Sequence, residues 1–101
     1  MVIEINDSNF EQKIKETKGK MLVDCYANWC GPCKMLSPII DEVAKNTDTC
    51  TFYKLDVDVN EDVASKYNIM TIPTLLLFED GVLLKQTSGF ISEDDLLEFI
   101  K

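Results

Sequence analysis

Apolar and polar positions along this chain change period several times, and each change marks an element. Val2 to Ile5 alternates apolar and polar side chains, the period of a short, half-buried strand. Phe10 and Ile14 then stand four apart, with Lys13, Lys15 and Glu16 turned to water, which predicts an amphipathic helix. Asn6 or Ser8 is placed to cap it, Ser8-x-x-Glu11 also fits a capping box, and Gly19 is its expected stop. Met21 to Ala27 is apolar almost throughout, the composition of a strand covered on both faces. Helical spacing returns from about Cys33 to Asn46, where Met35, Leu36, Ile39, Ile40 and Val43 make a broad apolar face and Pro38 predicts a kink.

Cys50 to Asp58 resumes strand composition, with Phe52, Leu55 and Val57 set against Lys54, Asp56 and Asp58, and a short helix from about Glu61 to Tyr67 follows. Thr74 to Glu79 is a second buried strand, and Asp80-Gly81 predicts a tight turn into an antiparallel partner, Val82 to Thr87. Ser92-x-x-Asp95 caps a last helix bearing Leu96, Leu97, Phe99 and Ile100. The order βαβαβαββα is an α/β arrangement, a central mixed β-sheet flanked by helices on both faces. With neither linker nor repeat, the 101 residues are expected to form one domain, 1–101.

Two features do not belong to core or surface. Asp24 puts a carboxylate inside an apolar strand, where a charged, unpaired group is costly, so its pKa is expected to rise. Perturbed groups of this kind concentrate at functional sites; the competing reading is an edge Asp that reaches water. Just beyond the strand comes Trp29-Cys30-Gly31-Pro32-Cys33-Lys34. If Cys30 caps the following helix, its sulfur lies among N–H groups without intrahelical partners, at the positive end of the helix dipole. Both favour the thiolate, the nucleophile of disulfide exchange. Pro32 loses nothing in the first turn, because its N–H would have had no partner there. Cys33, one turn on, is near enough to close a ring with Cys30, giving an exposed attacker and a more buried resolver. The same spacing also serves zinc sites, but such a site would have to recruit Cys25 and Cys50, which form no second C-x-x-C. These two read better as small buried hydrophobes without redox activity. Trp29, beside the nucleophile, suggests a shield and docking surface more than packing.

Histidine is absent, which excludes a Cys–His protease, a His-ligated metal and an imidazole base. A net charge of −8 argues against nucleic acid and anionic membranes as partners. Acidic residues gather at Asp56, Asp58, Glu61 and Asp62, and again at Glu93, Asp94, Asp95 and Glu98. The plain reading is solvated faces and helix N-terminal charge; the sharper one is a field that selects a basic partner. No apolar run approaches the roughly 20 residues of a membrane span. The start, Met-Val-Ile-Glu-Ile-Asn, lacks the basic-then-apolar pattern of a secretory leader, so a reducing, cytoplasmic location is expected.

W-C-G-P-C-K after V-D-x-x-A resembles the active-site signature of thioredoxins. The resemblance continues over nearly the whole chain, through Ile72-Pro73-Thr74, Leu75-Leu76-Leu77-Phe78, Asp80-Gly81 and Gly89. This ordered set is far more specific than C-x-x-C alone. It implies the thioredoxin fold and a protein-disulfide reductase with no bound cofactor and no metal. Cys30 would attack a substrate disulfide and Cys33 resolve the mixed disulfide. Asp24 would accept and return the proton of Cys33, with Lys54 modulating it. Trp29, Gly31, Pro32, Ile72, Pro73 and Gly89 would form the substrate groove. An X-Pro bond is trans by default, whereas thioredoxins carry a cis-proline facing the cysteines, so the resemblance implies cis at Ile72-Pro73. Gly89 matches a glycine that lets substrate backbone come close, and Phe90 follows where a smaller residue is expected. Cys25 stands where the family usually has a bulky aromatic, and Tyr26 where many relatives carry another residue. Lacking flavin or nicotinamide motifs, the chain would depend on a separate thioredoxin reductase. Its other partners would be disulfide-containing proteins, met as a monomer. Gly-Pro between the cysteines is similar to reductants rather than to isomerases and periplasmic oxidants, which usually carry His there. Two other uses stay open on these residues: a subunit scaffold with incidental redox activity, and a metal- or cluster-binding module.

Overall fold

The apolar run around Val23 becomes the middle strand of a five-stranded sheet. The computed structural model describes residues 1–101 and has the expected element order. The elements are β1 (Val2–Glu4), α1 (Phe10–Glu16), β2 (Lys20–Tyr26), α2 (Gly31–Lys45), β3 (Cys50–Asp56), α3 (Glu61–Lys66), β4 (Thr74–Glu79), β5 (Val82–Ser88) and α4 (Glu93–Phe99). The strands lie in the order β1-β3-β2-β4-β5. β1, β3 and β2 run parallel, whereas β4 is antiparallel to β2 and β5 to β4, so the sheet is mixed.

Strand alternation sends successive side chains to opposite faces and so divides the core in two. Met21, Val23 and Cys25 pack with Phe10 and Ile14 of α1 and Val63 of α3. Leu22 packs with Leu36, Ile40 and Val43 of α2, with Leu96 of α4 and with Ile100 just after it. Asp24 shares the parity of Leu22 and therefore the α2 face. Asp80 (φ 49°) and Gly81 (φ 85°) make the two-residue turn between β4 and β5, both in the left-handed conformation that such hairpins need. Asp80 also accepts the Gly19 N–H at 2.8 Å, which ties the hairpin to the start of β2.

Several local expectations give way to neighbours. The Ser8 capping box does not form, because Ser8 donates its hydroxyl to Asn6 Oδ1 and Asn9 becomes the N-cap of α1. Asn6 and Asn9 instead exchange hydrogen bonds between backbone N–H and side-chain oxygen. The helix ends at Glu16 with Thr17 as C-cap, short of Gly19. α2 starts two residues earlier than expected, at Gly31, and contains Pro38. Met35 lies outside its buried face and is exposed, as is Leu97 in α4. β3 ends at Asp56 and is covered on both sides, Phe52 facing α2 and Leu55 facing α1, in place of a single alternation. Ser92 does cap α4, its Oγ accepting the Asp95 N–H at 3.1 Å.

α3 is capped from a distance. Asp7, in the loop before α1, accepts the N–H groups of Asp62 (3.1 Å) and Val63 (3.0 Å), and its own N–H donates to Asn60 Oδ1. Removing the carboxylate strands two helix N-terminal donors, so Asp7→Ala is expected to cost about 1–2 kcal/mol in urea melts. Asp7→Asn, which keeps one acceptor, is expected to cost less than half of that. Equal losses in both variants would show that the cap is not what Asp7 contributes.

Candidate active site

β2 ends at Tyr26, and the chain crosses Ala27, Asn28 and Trp29 before α2 begins. Cys30 is the N-cap of α2, with extended backbone (φ −87°, ψ 114°), and its sulfur accepts the Cys33 N–H at 3.2 Å. Pro32 occupies the second helical position, where its lack of an N–H leaves nothing unsatisfied. Cys30 and Cys33 form a disulfide, with Cα atoms 5.2 Å apart. The first turn of α2 carries no acidic residue, so nothing there opposes a negative charge on sulfur.

The expectation of an exposed Cys30 beside a more buried Cys33 is corrected: each is 4% exposed. What separates them is the space each adjoins. Cys30 lines a groove of about 450 Å³ with Trp29, Gly31, Pro32 and Ile72, as expected, and also with Val57, Ile69, Met70 and Thr71. Cys33 lines a smaller recess of about 190 Å³ on the opposite side, with Asp24, Tyr26, Ala27, Asn28, Lys34, Ser37 and Lys54. The first space is lined mainly by apolar side chains; the second is lined mainly by polar ones and is roomy enough for water.

Asp24 is 5% exposed, and its Oδ1 has no hydrogen-bond partner. Burial pushes its carboxyl up to about 7, with Lys54 opposing that rise and Asp41 and Glu4 adding to it. The edge-Asp reading is thereby excluded. Lys54 is in register with Asp24 on the adjacent strand, yet its ammonium pairs with Glu4 at 4.0 Å and forms no ion pair with Asp24.

The groove is framed by residues far apart in the chain. Trp29 is 70% exposed, with its indole N–H donated to Asp58 Oδ2 at 2.7 Å. Asp56 Oδ1 in turn accepts the Asp58 N–H, and Asp56 Oδ2 the Asn28 amide. These two acids are therefore more than a solvated face; they hold the loop around Cys30, while Glu61 and Asp62 sit in the first turn of α3. The Ile72–Pro73 bond is cis, as the resemblance implied, and the Ile72 carbonyl oxygen lies 3.7 Å from Cys30 Sγ. Pro73 is buried behind Ile72 and does not line the groove. Gly89 (φ 93°) donates its N–H to the Pro73 carbonyl at 2.8 Å, with open space where a Cβ would point. Phe90 is exposed next to it. Val57, Ile69, Met70 and Thr71 carried no sequence signal as groove residues, although Met70 directly precedes the Thr71-Ile72-Pro73 run.

Cys25 and Cys50 are free thiols in opposite cores. Burial pushes the Cys25 thiol well above its ordinary range, with the charge of Asp24 adding to this, and pushes Cys50 up to about 11. No group of three His, Cys, Asp or Glu side chains is placed to hold a metal ion.

The chain matches the Thioredoxin family model over residues 1–101. It is 44% identical over 96 residues to a thioredoxin of Mycoplasmoides gallisepticum, covering 95% of each chain. It is 42% identical to a thioredoxin of Staphylococcus epidermidis, covering 98% of this chain and 94% of that one. A mutant thioredoxin from Halobacterium salinarum superposes with a TM-score of 0.90 at 34% identity, over 98% of this chain and 87% of that one. A family match along its whole length, with a disulfide at the mouth of α2, places this chain in the thioredoxin family of protein-disulfide oxidoreductases.

Proposed function

We propose that the chain acts as one domain and one monomer in the cytoplasm, reducing disulfides of other proteins through Cys30 and Cys33. The observation that carries this reading is that the two sulfurs of one bonded pair face different spaces, an apolar groove and a polar recess. In the reduced protein Cys30 is the thiolate, stabilised by the first-turn N–H groups and dipole of α2. It attacks one sulfur of a substrate disulfide lying in the groove between Trp29 and Ile72. A Cys30–substrate disulfide forms and the other substrate sulfur leaves as thiolate. Cys33 then loses its proton to Asp24 across the recess and attacks Cys30, releasing the second substrate sulfur. Two electrons have passed to the substrate, whose two thiolates take up one proton from Asp24 and one from water, and the Cys30–Cys33 disulfide remains. Neither chain nor mechanism supplies the electrons to reopen it, so a separate thioredoxin reductase is the required partner.

Residue roles follow from this division. Lys54 modulates the Asp24 carboxyl; Gly31, Pro32 and Ile72 shape the groove, with Pro73 acting only by positioning Ile72; and Gly89 leaves room for substrate backbone. Cys33→Ser is expected to accumulate stable mixed disulfides through Cys30, whereas Cys30→Ser accumulates essentially none. Trapping through Cys33 in the second variant would reverse the assignment. In native reduced protein, alkylating reagents are expected to modify Cys30 first and leave Cys25 and Cys50 unmodified until unfolding. Rapid labelling of either, or dimers through them, would contradict their burial.

The pH dependence of stability follows from the Asp24 carboxyl. Its folded pKa, about 7, lies above the unfolded value of about 3.9, so the neutral form suits the fold. The resulting penalty is absent below the unfolded pKa, grows between the two values and levels off above 7. Asp24→Asn keeps the shape without the ionisation. It is expected to gain about 2–4 kcal/mol at pH 7.5 and only about 0.5 kcal/mol at pH 4 in denaturant melts, and to slow disulfide reduction. An Asn variant that is no more stable at pH 7.5 and equally active would remove Asp24 from the mechanism.

A further inference from the structure

Glu4, Lys54 and Asp24 stand side by side across three strands. Glu4 of β1 is in register with Lys54 of β3, and Lys54 with Asp24 of β2. Val2, Phe52 and Leu22, two positions earlier on the same strands, pack toward α2, so this row faces α2 as well. A lysine therefore sits between two carboxylates. It pairs with the outer one, Glu4, at 4.0 Å, and not with the inner one, whose Oδ1 is unpartnered. Tyr26, next after Asp24 on that face of β2, fixes the outer carboxylate, its hydroxyl lying 2.9 Å from both Glu4 oxygens.

We propose that Glu4, which Tyr26 anchors, holds Lys54 away from Asp24 and is thereby a positioning residue for the proton transfer at Cys33. This rests on the reading above that Asp24 serves Cys33. An ammonium drawn against Asp24 would keep its carboxylate ionised at low pH and make it a weak base; drawn outward, it leaves burial to dominate. The other polar groups near Asp24 come from α2, where Cys33, Lys34 and Ser37 line the same recess and Asp41 acts in the same direction as Glu4. Asp56, further along β3, lies beside Tyr26 and Asn28. None of these is altered by a substitution at Glu4, which is half exposed on an edge strand.

The test is a carbon-13 NMR titration of the Asp24 carboxyl in the full-length reduced protein, for wild type, Glu4→Gln, Lys54→Gln and the double variant. Glu4→Gln is expected to lower the Asp24 midpoint by on the order of half to one pH unit, and Lys54→Gln to raise it. With Lys54 absent, the Glu4→Gln shift should shrink to less than half. An unshifted midpoint in Glu4→Gln, or the same shift with and without Lys54, would overturn the proposal and leave the Asp24–Cys33 reading intact. The pH profile of substrate release from a preformed Cys30 mixed disulfide should move with the titration. A carboxyl that shifts while the kinetic profile stays fixed would also overturn the proton-transfer role, and would trace the failure to the Asp24–Cys33 reading.

Discussion

The active site depends on β2 having no solvent on either side. Met21, Leu22, Val23, Asp24 and Cys25 are all buried, with parallel β3 on one edge and antiparallel β4 on the other. Two separate hydrophobic clusters hold this strand, each contributing side chains worth about 1.5–3 kcal/mol apiece when fully covered. The direction in which the chain leaves β2 is therefore fixed, and so is the start of α2. The Cys30 turn needs no mobility of its own to be preorganised, because both elements that flank it are clamped by core packing. Cis-Pro73 is reached through β4, the antiparallel neighbour of β2, which brings Thr74 opposite Cys25 and Ile72 against Cys30.

Within a few residues the same strand and helix create opposite environments for charge. At Cys30, unpaired N–H groups and the helix dipole favour an anion at the edge of the groove. At Asp24, the sheet interior and α2 disfavour one. Cys25 shows that proximity to the site is not enough for reactivity: adjacent to Asp24 in sequence, it points to the other face and is held neutral. Cys50 packs against the α2 face but lies five residues back along the paired strands, opposite Lys20. At about 3.3 Å per residue this puts it well away from the disulfide.

How much could be read beforehand follows the range of the interactions involved. Period-2 and period-3.6 patterns report burial of one element against the rest, so β2, β4, the hairpin and α2 were legible in Met21–Ala27, Thr74–Glu79, Asp80-Gly81 and the Leu36/Ile40/Val43 stripe. The disulfide pair and the buried Asp24 were legible too, because each violates the pattern around it. Partner choice was not. Ser8 looked like a cap and bonds Asn6, while Asp7 caps a helix more than fifty residues away. Asp56 and Asp58 looked like surface charge and steady the Trp29 loop. The greater burial expected of Cys33 failed because a sulfur's position along the helix does not decide which side of it is open. Long-range hydrogen bonds leave no periodic trace in a sequence, and these are the points where local reasoning ran out.

The proposed pairing of the buried Asp24 carboxyl with Cys33 as resolving thiol has a simple acid–base logic. An ordinary thiol loses its proton near pH 8.5 and an ordinary Asp near 3.9, a gap that makes the carboxylate a poor acceptor. Desolvation closes much of that gap by raising Asp24 to about 7, so that it titrates near neutral pH. A surface carboxylate could not do this, and a fully enclosed one would have no route to Cys33. The recess at Cys33 resolves the conflict: Asp24 is covered by Leu22's neighbours in the sheet and by α2, yet shares one small polar space with the Cys33 sulfur. The burial that weakens the fold at neutral pH is thus the same burial that would make Asp24 effective in its proposed role as base, and the apolar packing on either side of β2 is what lets the fold tolerate it.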